Sequence, residues 1–194
     1  MIAVSIDEFL RDKMKLDEEQ REMLRENERV QGQYKGRGWN WNRFRGMATL
    51  NLVAYYLEKH LPEDVKLIRS AWVEGCPNEL DLLIVDKDAK PIGFTPAYPK
   101  GRVRCIIEVK AAGVYWKRSE VKRNLQDYFG KVKKETGDKP FLYLTLWEGF
   151  KVAELTKETL KEDAFILESG TPGRKEFKSG EWARFINKLH IRNA

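Results

Sequence analysis

Two short stretches bring acidic side chains to places where apolar strands should end: Glu79-Leu80-Asp81 ahead of Leu82-Leu83-Ile84-Val85, and Ile106-Ile107-Glu108-Val109-Lys110. On an extended chain, residues two apart project from the same face. Glu108 and Lys110 therefore point together, while Ile107 and Val109 turn the other way into apolar packing. Glu79 and Asp81 share a face in the same manner. The run from Leu82 to Val85 is wholly apolar, as in a strand buried on both sides. Charge at such a boundary is costly unless it is paired or holds a metal. Carboxylates from Asp81 and Glu108 beside the Lys110 ammonium suit a hard divalent cation, and magnesium prefers oxygen donors while keeping several waters. Glu79 is a further candidate ligand, weighed against a plain surface acid at a strand start.

These strands need neighbours to hold them. The spacing predicts a helix over residues 5–30, broken near Leu16–Asp17, with Ile6, Phe9 and Leu10 as a short apolar stripe and an almost wholly charged second half. Residues 31–46 read as a glycine-rich loop, and Met47 to His60 as a helix with Leu50, Val53, Ala54 and Leu57 on one face and Pro62 beyond its end. Two strands follow at 65–74 and 79–86, joined by the turn Gly75-Cys76-Pro77-Asn78, and should pair antiparallel. A loop from 87 to 101, a strand at 103–110, a helix from Ser119 to about Thr136 and a strand at 141–147 come next. That strand–helix–strand step suits a right-handed crossover between parallel strands. The remainder reads as a mixed stretch, a strand at 164–167, a Gly/Pro turn at 170–173 and a helix near 181–189.

Asp81 followed by Glu108-Val109-Lys110, each at the end of an apolar strand, resembles the PD-(D/E)XK motif of the restriction-endonuclease-like nuclease superfamily, in particular its resolvase and RecB-like group. The resemblance implies an α/β fold with an α-β-β-β-α-β core, a mixed central sheet flanked by helices. It divides the chain into an N-terminal helical arm with a basic aromatic loop at 1–43 and the nuclease domain at 44–194. By resemblance, Asp81, Glu108 and the Val109 carbonyl are metal ligands and Lys110 orients or activates the attacking water. The implied activity is hydrolysis of DNA phosphodiester bonds with Mg2+, for which Mn2+ should substitute. The chain has little room for a large recognition domain, so the expected enzyme is a structure- or strand-selective endonuclease, with a homodimer as a further expectation. A non-catalytic nucleic-acid-binding protein that kept the fold, and an RNA nuclease, are the alternatives. Many relatives carry another glutamate on the first helix. Here that region offers Thr49 and Asn51, and its only acid is Glu58. RecB-like members also carry Gln-x-x-x-Tyr in the helix after the motif, whereas Tyr128 follows Gln126 by two.

Charge agrees with a polyanionic partner. The net charge is +6 over 194 residues, and each neutralised phosphate adds affinity through counterion release. The basic aromatic segment supplies Lys35, Arg37, Arg43 and Arg45 with Trp39 and Trp41, a mixture suited to phosphate contact and base stacking. The bland reading is a loop pinned by its tryptophans, with the arginines solvated. Lys100, Arg102 and Arg104 lead into the second motif strand, and Lys117, Arg118, Lys122 and Arg123 open the following helix.

Other chemistries lack residues. The two cysteines, Cys76 and Cys105, and the two histidines, His60 and His190, form no close-spaced zinc cluster, and both thiols should be buried and reduced. No GxxxxGK[ST] loop is present, so no nucleotide cofactor is expected. The N-terminus lacks a leader pattern and no segment has the roughly 20 apolar residues of a membrane span, so an intracellular location is expected.

Overall fold

The computed structural model describes residues 41–110, 118–146, 150–171 and 174–192, together with helical residues 8–9, 11–16, 18–19 and 22 near the N-terminus. After that first helical segment come α1 (Trp41–Glu58), β1 (Val65–Val73), β2 (Leu80–Asp86), β3 (Ala97–Tyr98), β4 (Val103–Lys110), α2 (Arg118–Thr136), β5 (Phe141–Thr145), α3 (Phe150–Leu160), β6 (Ala164–Ile166), β7 (Glu168–Thr171), β8 (Arg174–Phe177) and α4 (Ser179–Arg192).

Six strands form one mixed sheet in the order β3-β1-β2-β4-β5-β6. β1/β2 and β2/β4 are antiparallel, whereas β3/β1, β4/β5 and β5/β6 are parallel. The short turn after β1 and the helical crossover between β4 and β5 produce the pairings expected of them. The helix–strand order and the mixed central sheet flanked by helices are those expected of the α-β-β-β-α-β core, with β3 added. Among the described residues, no helix is long and apolar enough to cross a membrane.

Period-two alternation divides the sheet between two apolar layers. Leu82, Ile84, Cys105, Ile107, Leu142 and Leu144 face α1 and α4. Leu83, Val85, Ile106, Phe141 and Tyr143 face α2, through Val121, Leu125, Phe129 and Val132, with Val152 and Leu155 of α3 at the margin. Phe9 from the N-terminal segment is fully buried, stacked on Trp182 with centroids 4.6 Å apart and edge-on to Tyr56 at 5.1 Å. Both cysteines are buried free thiols, as expected.

Three expectations need correction. The first core helix begins at Trp41, not Met47, so residues 41–46 are helix rather than loop. Gly46 costs a helix interior only about 1 kcal/mol, less than the packing of Val53, Ala54, Tyr56 and Leu57 supplies. The loop after β2 contains the two-residue strand β3, held by pairing with β1 rather than by its own propensity. Residues 150–160, read as mixed, form α3, whose Lys/Glu-rich face hid its apolar one. Either side of the expected 170–173 turn, residues 168–171 and 174–177 pair as a small antiparallel hairpin, β7/β8, separate from the main sheet.

Glu181, in the first turn of α4, fastens that helix to the sheet. It accepts from Lys157 at 2.9 Å and Arg184 at 3.0 Å, and from the Ile166 amide at 3.4 Å. Burial alone would raise its pKa, but the Lys157 and Arg184 donors outweigh burial and hold it below the ordinary 4.5. Its stabilisation is therefore complete above pH 4.5 and lost as pH falls through the folded pKa. Glu181→Gln is expected to cost about 1–2 kcal/mol at neutral pH. Urea titrations across pH should show the gap from wild type closing in acid.

Candidate active site

Asp81, Glu108 and Lys110 come together at one end of the sheet. Leu82 pairs with Ile107, so one step further along the antiparallel register Asp81 lies opposite Glu108. Both side chains lie on the α2 face of the sheet, because they are even steps from Leu83 and Ile106. The Asp81 Oδ2 accepts the Val109 amide at 2.8 Å. An extended residue points its N–H and C=O to the same strand edge, so the Val109 carbonyl also faces the end of β2. Hence two carboxylates and one carbonyl border the same space.

Lys110 lies between the two acids. Its ammonium contacts Glu108 Oε1 and is 3.7 Å from Asp81 Oδ2. Burial would lower its pKa, but the facing charges of Glu108 and Asp81 prevail and raise it, so it remains a cation. Glu108 is 6% exposed. Burial, the largest influence, together with the Asp81 charge pushes its carboxyl above the usual range, against the opposing pull of Lys110 and Tyr128. Such a carboxylate gains most from a further cation nearby.

One site residue was not picked out from the sequence. The Tyr128 hydroxyl donates to Glu108 Oε2 at 3.0 Å. Both oxygens of Glu108 are thus engaged, one by Lys110 and the other by Tyr128. Burial and the adjacent Glu108 charge raise the phenol pKa, so the hydroxyl remains a donor. The Tyr128 ring packs edge-on to Phe141, with centroids 5.8 Å apart. The available signal was positional: Tyr128 is three residues after Leu125 and four before Val132, on the rim of the buried face of α2. Gln126 is exposed and has no part in this contact.

The other candidates separate. Glu79 is exposed and precedes β2. Glu58 pairs with Arg69 at 3.0 Å, and Asn51 accepts from the same guanidinium at 3.2 Å. Thr49 is buried. Arg102 contacts Asp86 at 3.1 Å as well as Asp88, and Arg104 contacts Asp86. Arg104 is therefore towards the opposite end of β4 from Glu108, about 13 Å away by strand rise, and Arg102 precedes the strand. Lys122 is exposed, 3.5 Å from Glu158, and Arg123 is exposed. Trp41, Arg43 and Arg45 fall on the first turns of α1, and Arg118 opens α2. Lys35, Arg37, Trp39 and Lys117 lie outside the described residues. Cys76 is buried with its thiol 3.5 Å from Glu135, and burial raises its pKa, which does not suit a nucleophile.

Among the described residues, no three His, Cys, Asp or Glu side chains gather at metal-binding distance. The donor set is instead two hard carboxylates and a carbonyl. That suits magnesium, which is commonly bound through one or two carboxylates with waters and substrate phosphate completing its shell.

No protein-family model matches the sequence, and no curated protein matches it significantly. Among solved structures, the fold is similar to that of NucC from P. aeruginosa ATCC27853 in its cAAA-bound form. The TM-score is 0.50 at 14% identity, covering 90% of this chain and 89% of that one. NucC from E. coli MS115-1, also cAAA-bound, has a TM-score of 0.49 at 15% identity, covering 76% of this chain and 78% of that one. At these identities the likeness is one of fold.

Proposed function

We propose that the chain is a metal-dependent nuclease that hydrolyses DNA phosphodiester bonds, a structure- or strand-selective endonuclease. The observation that carries this reading is the convergence of Asp81, Glu108 and Lys110 from two adjacent strands, with Glu108 buried. Asp81, Glu108 and the Val109 carbonyl would hold Mg2+, or Mn2+ in its place. A cation held there supplies a Lewis acid for the phosphate and lowers the pKa of a water. Lys110 presents its ammonium beside both carboxylates, where it orients the nucleophile and stabilises charge gathering on the phosphoryl oxygens. Tyr128 fixes the rotamer of Glu108.

Tyr128→Phe removes one hydroxyl and keeps the ring. It is expected to weaken Mn2+ binding by about tenfold, the scale for groups that orient a ligand. Calorimetry on the folded variant checks this, and an unchanged affinity would leave Tyr128 a packing role.

The substrate is tested by incubating the protein with single-stranded, duplex and branched DNA and with RNA, in magnesium, manganese or EDTA. Cleavage of at least one DNA form with either metal, and of none in EDTA, is the expected result. Cleavage of RNA alone would reassign the substrate. Binding without cleavage would support a non-catalytic protein retaining the fold. Because the P. aeruginosa NucC structure holds cAAA, one arm adds cAAA. Higher activity in that arm would make the site ligand-gated, and equal activity would make it constitutive.

A further inference from the structure

Between β2 and β3 the chain makes a loop whose feet are fixed and whose tip projects into solvent. Ala89 and Tyr98 are buried at the two feet, and Lys66 Nζ donates to the Ala89 carbonyl at 2.7 Å. At the tip, the Thr95 amide and hydroxyl both donate to the Ile92 carbonyl, at 3.1 and 2.8 Å, and the Ile92 amide donates to Ala97 O at 2.8 Å. Gly93 takes φ 58° at the first corner of this turn, a left-handed conformation that glycine adopts without strain. The turn holds Phe94 at the second corner, fully exposed, with Ile92 half-exposed beside it. An ordered turn that keeps a whole aromatic ring in water contributes nothing to folding through that ring.

The surroundings say what the ring meets. From 87 to 104 the cations Lys87, Lys90, Lys100, Arg102 and Arg104 stand against the single acid Asp88. The two arginines are engaged by Asp86 and Asp88, but Lys87, Lys90 and Lys100 make no ion pair among the described residues. The Lys100 ammonium lies over the β1–β2 turn, 3.3 Å from where a Cβ on Gly75 would stand, and its amide is 3.4 Å from Glu74 Oε2. That turn leads directly into Asp81. Ala97 pairs with Trp72 at the same end of the sheet, and β3 is two strands from β2, or about 10 Å at ordinary strand spacing. The free cations thus run along this loop edge from Lys87 and Lys90, beside Asp86 and Ala89, to Lys100 at the turn that leads into β2, with the exposed ring between them in sequence. An apolar ring among free cations matches a polyanion with stackable faces, which is a nucleic-acid strand. A protein partner would more naturally bury an apolar patch without needing the charge.

We infer that Phe94 is a stacking platform for an unpaired base of the nucleic-acid strand that reaches the Asp81–Glu108–Lys110 site, with Lys100 tracking the backbone between the two. This rests on the nuclease reading for its ligand but not on any metal. The test is fluorescence anisotropy in EDTA with a labelled mixed-sequence single-stranded DNA oligonucleotide and its duplex, for wild type, Phe94→Ala, Phe94→Leu and Phe94→Tyr. All variants should melt at the wild-type temperature, because the ring is buried against nothing. Phe94→Ala should weaken single-strand binding by about tenfold or more, the scale of one lost base stack. Phe94→Tyr should restore it and Phe94→Leu should not. Wild-type affinity in Phe94→Ala or Phe94→Leu overturns the inference while leaving the nuclease reading intact. A concentration-dependent dimer in sedimentation velocity that Phe94→Ala abolishes would also overturn it, and would assign the tip to a second copy of the chain. A wild type that binds neither DNA form sinks the nuclease reading as well.

Discussion

Glu108→Gln is expected to reduce metal-supported DNA cleavage by about a thousandfold, on the scale of several kcal/mol of lost transition-state stabilisation. The amide keeps the volume of Glu108 and one acceptor for Tyr128, so the fold should persist. It removes a buried carboxylate whose pKa burial and Asp81 already push up. The metal-free variant should therefore be as stable as wild type or more so, because the charge it loses was costly to bury. Glutamine is a better probe than alanine here, since alanine would leave the Tyr128 hydroxyl without its 3.0 Å acceptor. Asp81→Asn should lose cleavage similarly, and it also weakens the acceptor for the Val109 amide. Single-turnover cleavage and thermal melting of each variant give the two readouts. Full activity in either would remove Asp81 and Glu108 from the chemistry.

Lys110→Ala should separate chemistry from metal binding. Lysine is not a ligand, and in the structure its ammonium occupies the neighbourhood of both carboxylates. Its removal should slow turnover by about a hundredfold or more, the usual scale for a lost charge-stabilising donor. Metal affinity should hold or tighten, since a competing cation has left. The variant also unpairs two acids, so the metal-free protein should be less stable and the magnesium-dependent rise in melting temperature larger than for wild type. If Mn2+ affinity by calorimetry falls as far in Lys110→Ala as in Glu108→Gln, Lys110 has another role.

The legible parts of this molecule were those fixed by short-range pattern. Alternation in Leu80–Asp86 and Val103–Lys110 told which side chains share a face, and the end of each apolar run told where the charged site lies. Turn chemistry at 75–78 and the length of the 110–141 connection gave the strand directions. What escaped depended on partners distant in sequence. β3 exists because β1 offers it an edge, and the helical start at Trp41 depends on packing that outweighs Gly46. Tyr128 does not meet the Gln-x-x-x-Tyr spacing with Gln126, and its contact with Glu108 follows instead from where α2 crosses the sheet. Sequence neighbourhood also misled for Arg102 and Arg104. They lead into the motif strand, yet strand rise takes them to its far end, where Asp86 receives both. Glu79 shares the strand parity of Asp81 but precedes β2, so parity alone did not make it a neighbour of Glu108.

The most direct test of the central claim is metal add-back to one wild-type preparation. The protein is stripped with EDTA, dialysed, and assayed on DNA before and after Mg2+ is restored, with Glu108→Gln treated identically. The expected result is no cleavage by the stripped wild type, recovery with Mg2+ or Mn2+, and no recovery for Glu108→Gln. Cleavage that persists in EDTA, or that Glu108→Gln recovers as fully as wild type, would contradict a metal-dependent nuclease built on Asp81, Glu108 and Lys110.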